Sequence, residues 1–202
     1  MKPVFVFDAY KTIVDCPEWD RLKKEDPEVR ALFLKFQADR ATWSAPFMAK
    51  MDEYIAKGKV GAVQVPGTRE TLEQLNSMGA LAVYSTATKQ SLPVLLESAG
   101  LADLFSDSHL IIPVERLDNI PKTSPQGFQR LDGYLRQHSF ALQTYTDDEV
   151  SVINAALGSG IIPEIPSRLS GFYHLDRTSG LLKAESRLEG YKRIGRLDQM
   201  LT

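Results

Sequence analysis

Cysteine is nearly missing. Cys16 is the single one in 202 residues, so an internal disulfide and a cysteine-based zinc cluster are both excluded. A lone thiol reads as a small semi-buried hydrophobe and fits a reducing compartment, so a cytoplasmic location is expected. No apolar run approaches the ~18 residues of a membrane-spanning helix. No basic stretch with a long apolar core precedes the first strand either, so neither a membrane partner nor a signal peptide is expected. Charge of one sign is also lacking. The 24 Lys and Arg against 26 Asp and Glu leave a net charge of −2, which argues against nucleic acid or an anionic membrane as partner. There is no internal repeat and no low-complexity tract. What is there, 43% hydrophobic and 25% charged residues, is ordinary for a globular chain of one domain with room for a small insertion.

The organising stretch is the first thirteen residues, MKPVFVFDAYKTI. Val4 to Phe7 is a short β-branched and aromatic run, the pattern of a strand buried on both faces. It stops at Asp8, which places a carboxylate at the carboxyl end of a central strand, where open α/β sheets bind ligands. A helix cap or turn is the plainer role for such an Asp.

Val14 to Glu18 reads as a loop stopped by Pro17. From Trp19 to about Lys59 the chain is rich in helix formers, with Asp26 as cap and Pro27 in a first turn. Val29, Leu32, Phe33 and Phe36 recur on one helical face. Pro46 is expected to start another helix carrying Phe47, Met48, Met51, Tyr54 and Ile55, which ends near Gly58. Beyond Val65 an α/β rhythm predicts strands at 81–84, 109–113, 140–145 and 161–165, with a short sixth at 172–175 near the sheet edge. Helices are expected between them, with a closing amphipathic helix from Leu188 to Leu201. Strand, helix and strand in this order predict a parallel sheet with right-handed crossovers. Ser85-Thr86 ends the second strand as a helix cap or anion site. Lys122 precedes a helix that opens at Pro125, and Asp147-Asp148 follow the fourth strand. His109 and His174 read as structural.

Asp8 and Thr12, Ser85, Lys122 three residues before Pro125, and Asp147-Asp148 fall in order at four strand ends. This set resembles the haloacid dehalogenase (HAD) superfamily. The resemblance implies a Rossmann-like α/β core with strand order near 5-4-1-2-3, formed by residues 1–13 and 65–202, and a small helical cap inserted at 14–64. It implies Asp8 as nucleophile, Tyr10 at the general-acid position, Ser85 as a hydroxyl donor and Lys122 as counter-cation. Thr12, Thr86, Lys11 and Arg40 are implied as substrate contacts. Magnesium is implied as cofactor, held by Asp8, the Tyr10 carbonyl and Asp147 or Asp148. The Asp-Ala-Tyr beginning is closer to the 2-haloacid dehalogenase branch. Lys11 stands where a Gly is usual, and Ser151 or Val152 where a second acid is usual.

Three activities fit: a Mg²⁺-dependent phosphatase for a small phosphorylated metabolite, a metal-independent 2-haloacid dehalogenase, or a catalytically weakened binding protein on the same fold. A small-molecule substrate and a monomer or homodimer are expected. The apolar side chains Trp19, Phe33, Phe36 and Trp43 are candidates for a dimer face.

Overall fold

The computed structural model describes residues 1–161, 169–177 and 191–201. β1 (Lys2–Phe7) opens the chain and β2 (Val14–Asp15) follows after a tight turn. Three helices come next, α1 (Pro17–Glu25), α2 (Pro27–Ala38) and α3 (Arg40–Ala56), and then β3 (Val63–Gln64). The remainder alternates: α4 (Thr68–Asn76), β4 (Ala80–Ser85), α5 (Ser91–Ser98), β5 (Ile111–Pro113) and α6 (Pro125–Gln137). It ends with β6 (Phe140–Asp147), α7 (Val150–Gly158), β7 (Gly171–Leu175) and β8 (Tyr191–Ile194), followed by a 3-10 turn at Leu197–Leu201.

Six strands form one parallel sheet in the order β5-β4-β1-β6-β7-β8. β1 sits inside it because its side chains are apolar on both faces. Phe5 and Phe7 point into one apolar cluster with Trp19, Phe47, Leu72 and Leu92. Val4 and Val6 point into the other, with Phe128, Leu131, Leu135 and Ile153. Alternation along a single strand thus feeds both layers of the core. β2 and β3 pair antiparallel, Val14 with Gln64 and Asp15 with Val63, and this ribbon brackets the three helices. The helices share the cluster of the sheet face: Trp19, Val29, Phe47, Met51 and Ile55 are buried in it.

The Asp26 carboxylate accepts from the amides of Glu28 and Val29, so Asp26 and Pro27 open α2 as their types predict. Pro46, in contrast, lies inside α3 and does not start it. Asp39 caps that helix by accepting from Thr42 N at 3.1 Å, so the helix is already running when Pro46 arrives. Trp19 is interior, at 1% exposure, and is therefore no part of an exposed apolar face.

The outer half of the sheet also departs from expectation. The neighbour of the fourth core strand is β7 at Gly171–Leu175, which lies inside the sheet because β8 covers its far side. Residues 162–165 of the expected fifth strand lie outside the described residues, as do 188–190 of the expected closing helix. Tyr191–Ile194 is a strand instead of a helix. Tyr191, Ile194, Leu197 and Leu201 keep a helical spacing, but the backbone of 191–194 is taken up in pairing with β7. The third core strand is shorter than expected: His109 belongs to a 3-10 turn at Ser108–Leu110, before Ile111.

Candidate active site

The parallel register fixes where the strands end. Phe7 pairs with Thr146, and Asp8 N donates to Thr146 O at 2.9 Å, so Asp8 and Asp147 leave the sheet side by side. Asp8, Asp147 and Asp148 each present a carboxylate oxygen within 4.8 Å of the others. Lys122 comes from the loop before α6, and its ammonium bonds Asp8 Oδ1 and, at 2.9 Å, Asp147 Oδ2. Four residues from three separate stretches of the chain thus form one charged cluster, with Lys122 4% and Asp147 2% exposed.

The loop carrying Lys122 is held close to its helix. Ser124 Oγ accepts from Gly127 N at 3.2 Å, and a Cβ at Gly127 would stand 2.6 Å from Pro121 O. Only a residue without a side chain allows that approach. Two rings flank the ammonium, with centroids 5.5 Å (Tyr84) and 5.7 Å (Tyr145) from Nζ. Tyr145 OH also donates to Asp147 Oδ2 at 2.5 Å, while Glu149 N donates to Asp147 Oδ1 at 2.8 Å. Asp147 is therefore oriented from three directions.

Three carboxylates face one ammonium, and burial makes the excess costly. Burial pushes Asp8 up to about 8, against the pull of Lys122 and with Asp147 and Asp148 adding to the rise. Asp148 is pushed up to about 6, by burial first and Asp147 second. Burial also works against the charge on Lys122, but Asp147 and Asp8 outweigh it and hold the ammonium above its usual range. The donor set is all oxygen, and with the three carboxylates ionised the charge excess is two negative, which suits a hard divalent cation such as Mg²⁺.

Against known proteins, no family model and no curated sequence matches the chain. Solved structures do match over nearly its whole length. The L-2-haloacid dehalogenase of Xanthobacter autotrophicus superposes with a TM-score of 0.64 at 16% identity, covering 100% of this chain and 97% of that one. A HAD-superfamily hydrolase of subfamily IA, variant 1, from Geobacter sulfurreducens gives 0.57 at 14% identity, covering 100% and 95%. A haloacid dehalogenase-like protein of unknown function from Agrobacterium tumefaciens gives 0.60 at 15% identity, covering 98% and 95%. The fold is haloacid dehalogenase-like.

Within this HAD-like fold the expected site residues divide into two groups. Asp8, Lys122, Asp147 and Asp148 come together as described. Ser85 ends β4 at 2% exposure, and its Oγ accepts from Ala87 N at 3.1 Å. Thr12 is fully buried, and its hydroxyl has no hydrogen-bond partner among the described residues. Thr86 is exposed.

The other residues turn elsewhere. The Tyr10 hydroxyl donates to Asp20 Oδ1 in α1 and accepts from Lys23 Nζ at 3.0 Å. Burial and the bond to Asp20 push this phenol far above its usual range, which makes it a weaker acid than a free phenol. Lys11 pairs with Asp20 and, at 3.3 Å, with Asp15, leaving the Asp8 cluster to Lys122. Its φ of +68° is a conformation that favours glycine, the residue usual there. Arg40, at the start of α3, forms an exposed ion pair with Glu149 next to the acid cluster. Three contributors were missed in the sequence: Tyr145, His174 and Arg177. Arg177 grips Asp15 through two bonds of 3.0 and 2.8 Å and reaches Lys11 O at 3.3 Å, which ties the turn after Asp8 to the end of β7. Its only sequence signal was its position just beyond an apolar run.

Proposed function

We propose that the chain is a Mg²⁺-dependent phosphohydrolase acting through an aspartyl intermediate on a small phosphorylated compound. The observation that carries this reading is the convergence of Asp8, Asp147 and Asp148 around a single Lys122. Three carboxylates, two of them buried, exceed what the single Lys122 ammonium offsets, and a metal cation would balance the rest. Asp8, Asp147 or Asp148, and the Tyr10 carbonyl would hold the ion, which offsets the negative charge that gathers when a phosphate enters. α1, α2 and α3 would then form the cap that selects the substrate.

In this reading Asp8 Oδ attacks phosphorus, and Lys122 steadies the carboxylate and the incoming phosphoryl oxygens. Ser85 accepts from Ala87 N, which leaves its own hydrogen to donate to a phosphoryl oxygen. Water then cleaves the aspartyl phosphate and restores Asp8.

A second reading, the metal-independent 2-haloacid dehalogenase, draws on the diversion of Tyr10. Halide leaves without a proton, so that chemistry needs no acid two residues after the nucleophile. The test is release of phosphate from an aryl phosphate with Mg²⁺ or with chelator, beside halide release from 2-chloropropionate, with Asp8→Asn as control. Phosphate release that needs both Mg²⁺ and Asp8 is the expected result. Chelator-insensitive halide release would replace the proposal with the dehalogenase. Silence in both from folded protein would leave a binding protein on this fold.

A further inference from the structure

A phosphate ester with a basic leaving group needs a proton donor as its P–O bond breaks, and a positioned donor contributes about 10²–10⁴-fold. Among the described residues, Thr12 and Tyr84 keep unpartnered hydroxyls, but both are 0% exposed, Tyr84 packed on Phe128 and Tyr145, and the Ser85 hydrogen is assigned above to a phosphoryl oxygen. The other three donors near Asp8 are committed. The Tyr10 hydrogen goes to Asp20 and its oxygen accepts from Lys23, both on α1. The Tyr145 hydrogen goes to Asp147. The Lys122 ammonium is divided between Asp8 and Asp147. Asp20 is itself bound by Lys11 and Lys23, so the diversion of Tyr10 belongs to a four-residue network that ties the turn after β1 to α1. Asp148 stands in the carboxylate cluster as one of two candidate cation ligands in the reading above.

From this arrangement we infer that the site takes phosphoric anhydrides, acyl phosphates foremost, whose leaving oxygen departs as a stable anion without being protonated. The inference rests on the phosphohydrolase reading. In the first step Asp8 Oδ bonds to phosphorus, the bond from phosphorus to the acyl oxygen breaks, and its electron pair leaves on that oxygen as a carboxylate. In the second step water attacks phosphorus, the bond to Asp8 breaks, and dihydrogen phosphate leaves carrying both protons of the water. An acyl phosphate dianion and water thus become a carboxylate and dihydrogen phosphate, with no proton drawn from the protein. The same site would be slow on phosphates of ordinary alcohols, whose leaving oxygen is far more basic.

The test is a leaving-group series with Mg²⁺: acetyl phosphate, three substituted phenyl phosphates of graded phenol acidity, and glycerol 1-phosphate. The expected kcat/KM falls about tenfold for each unit of leaving-group pKa, the behaviour of an unassisted departure. A flat series would overturn the inference while leaving the phosphohydrolase reading intact. No Asp8-dependent turnover anywhere in the series would remove both. Tyr10→Asp, which puts a carboxyl at the diverted position, should raise turnover of glycerol 1-phosphate by at least about tenfold and flatten the series. If that variant does not fold, the slope for the natural protein decides alone.

Discussion

His174 Nε2 lies 3.2 Å from the main-chain oxygen of Asp148. A carbonyl can only accept, so Nε2 carries the hydrogen, and Nδ1 is buried with no hydrogen-bond partner among the described residues. The contact exists because β7 pairs with β6 in a register that sets His174 opposite Asp147. His174 therefore acts as a positioning residue for the loop that holds two of the three carboxylates. Replacing it by Phe should weaken Mg²⁺ binding about fivefold, the worth of one hydrogen bond. Gln, which keeps a donor, should restore most of the loss. Isothermal titration with Mg²⁺ checks this, and equal affinities for the natural protein and the Phe variant would show the contact to be idle.

The pH dependence of stability follows from the carboxylates. Asp8 is raised to about 8 and Asp148 to about 6, so without metal these two groups bind more protons in the folded state than in the unfolded chain between about pH 4 and 8. Their contribution to stability falls as pH rises through that window, each displaced unit being worth about 1.4 kcal/mol. Above about pH 5, where the carboxylates held low are ionised in both states, stability as a whole should fall. Mg²⁺ should flatten the fall, and so should Asp8→Asn. Urea midpoints at pH 5, 6.5 and 8, with chelator and with Mg²⁺, provide the measurement. A midpoint that climbs across the window in chelator would contradict the burial of these acids.

Gly127 is a sharper structural test than its position suggests. A Cβ there would meet Pro121 O at 2.6 Å and push the chain just ahead of Lys122. Gly127→Ala should therefore cut activity on an aryl phosphate by about tenfold or more, as small displacements at a reacting centre do. Its helix should stay intact by circular dichroism. Unchanged kcat with unchanged stability would show that the loop adapts freely.

Lys11→Gly separates a structural lysine from one that competes with metal. The left-handed backbone at Lys11 costs about 1–2 kcal/mol, and its half-exposed ion pairs return up to about 1 kcal/mol. Glycine relieves the first and loses the second, so stability should change by less than about 1 kcal/mol. Mg²⁺ affinity should be unchanged, because the partners of Lys11 are Asp15 and Asp20. Tighter Mg²⁺ binding in the variant would place the ammonium near the cation after all.

Much of this site was legible where an apolar run stopped. Phe7 gives way to Asp8 and Tyr84 to Ser85, and both boundaries are strand ends in the structure. Lys122 was legible only through its distance from Pro125, since nothing in a lone lysine reports an ion pair 114 residues away. Tyr145 read as part of a strand, and its bond to Asp147 arises because residues two apart share one face. Asp20 read as a charge on a helix, and its hold on Tyr10 and Lys11 is a matter of how α1 docks. β8 was hidden by its own side chains: Tyr191 and Ile194 suit a helix stripe, while the main-chain pairing with β7 that made it a strand leaves no mark on side-chain spacing. The diversion of Tyr10 was the least accessible of all. A phenol two residues after an acid says nothing of where its hydroxyl turns.

The central place of β1 has a kinetic consequence. The strand that leads into Asp8 comes early in the sequence, yet its neighbours are β4 and β6, whose partners for Val4 are Ala80 and Leu142. Contacts of such long sequence separation close late, because the loop entropy must be met before pairing repays it. A chain cut short before β6 would hold Asp8 and Lys122 but lack Asp147 and Asp148. In refolding, recovery of turnover should therefore trail recovery of helix signal.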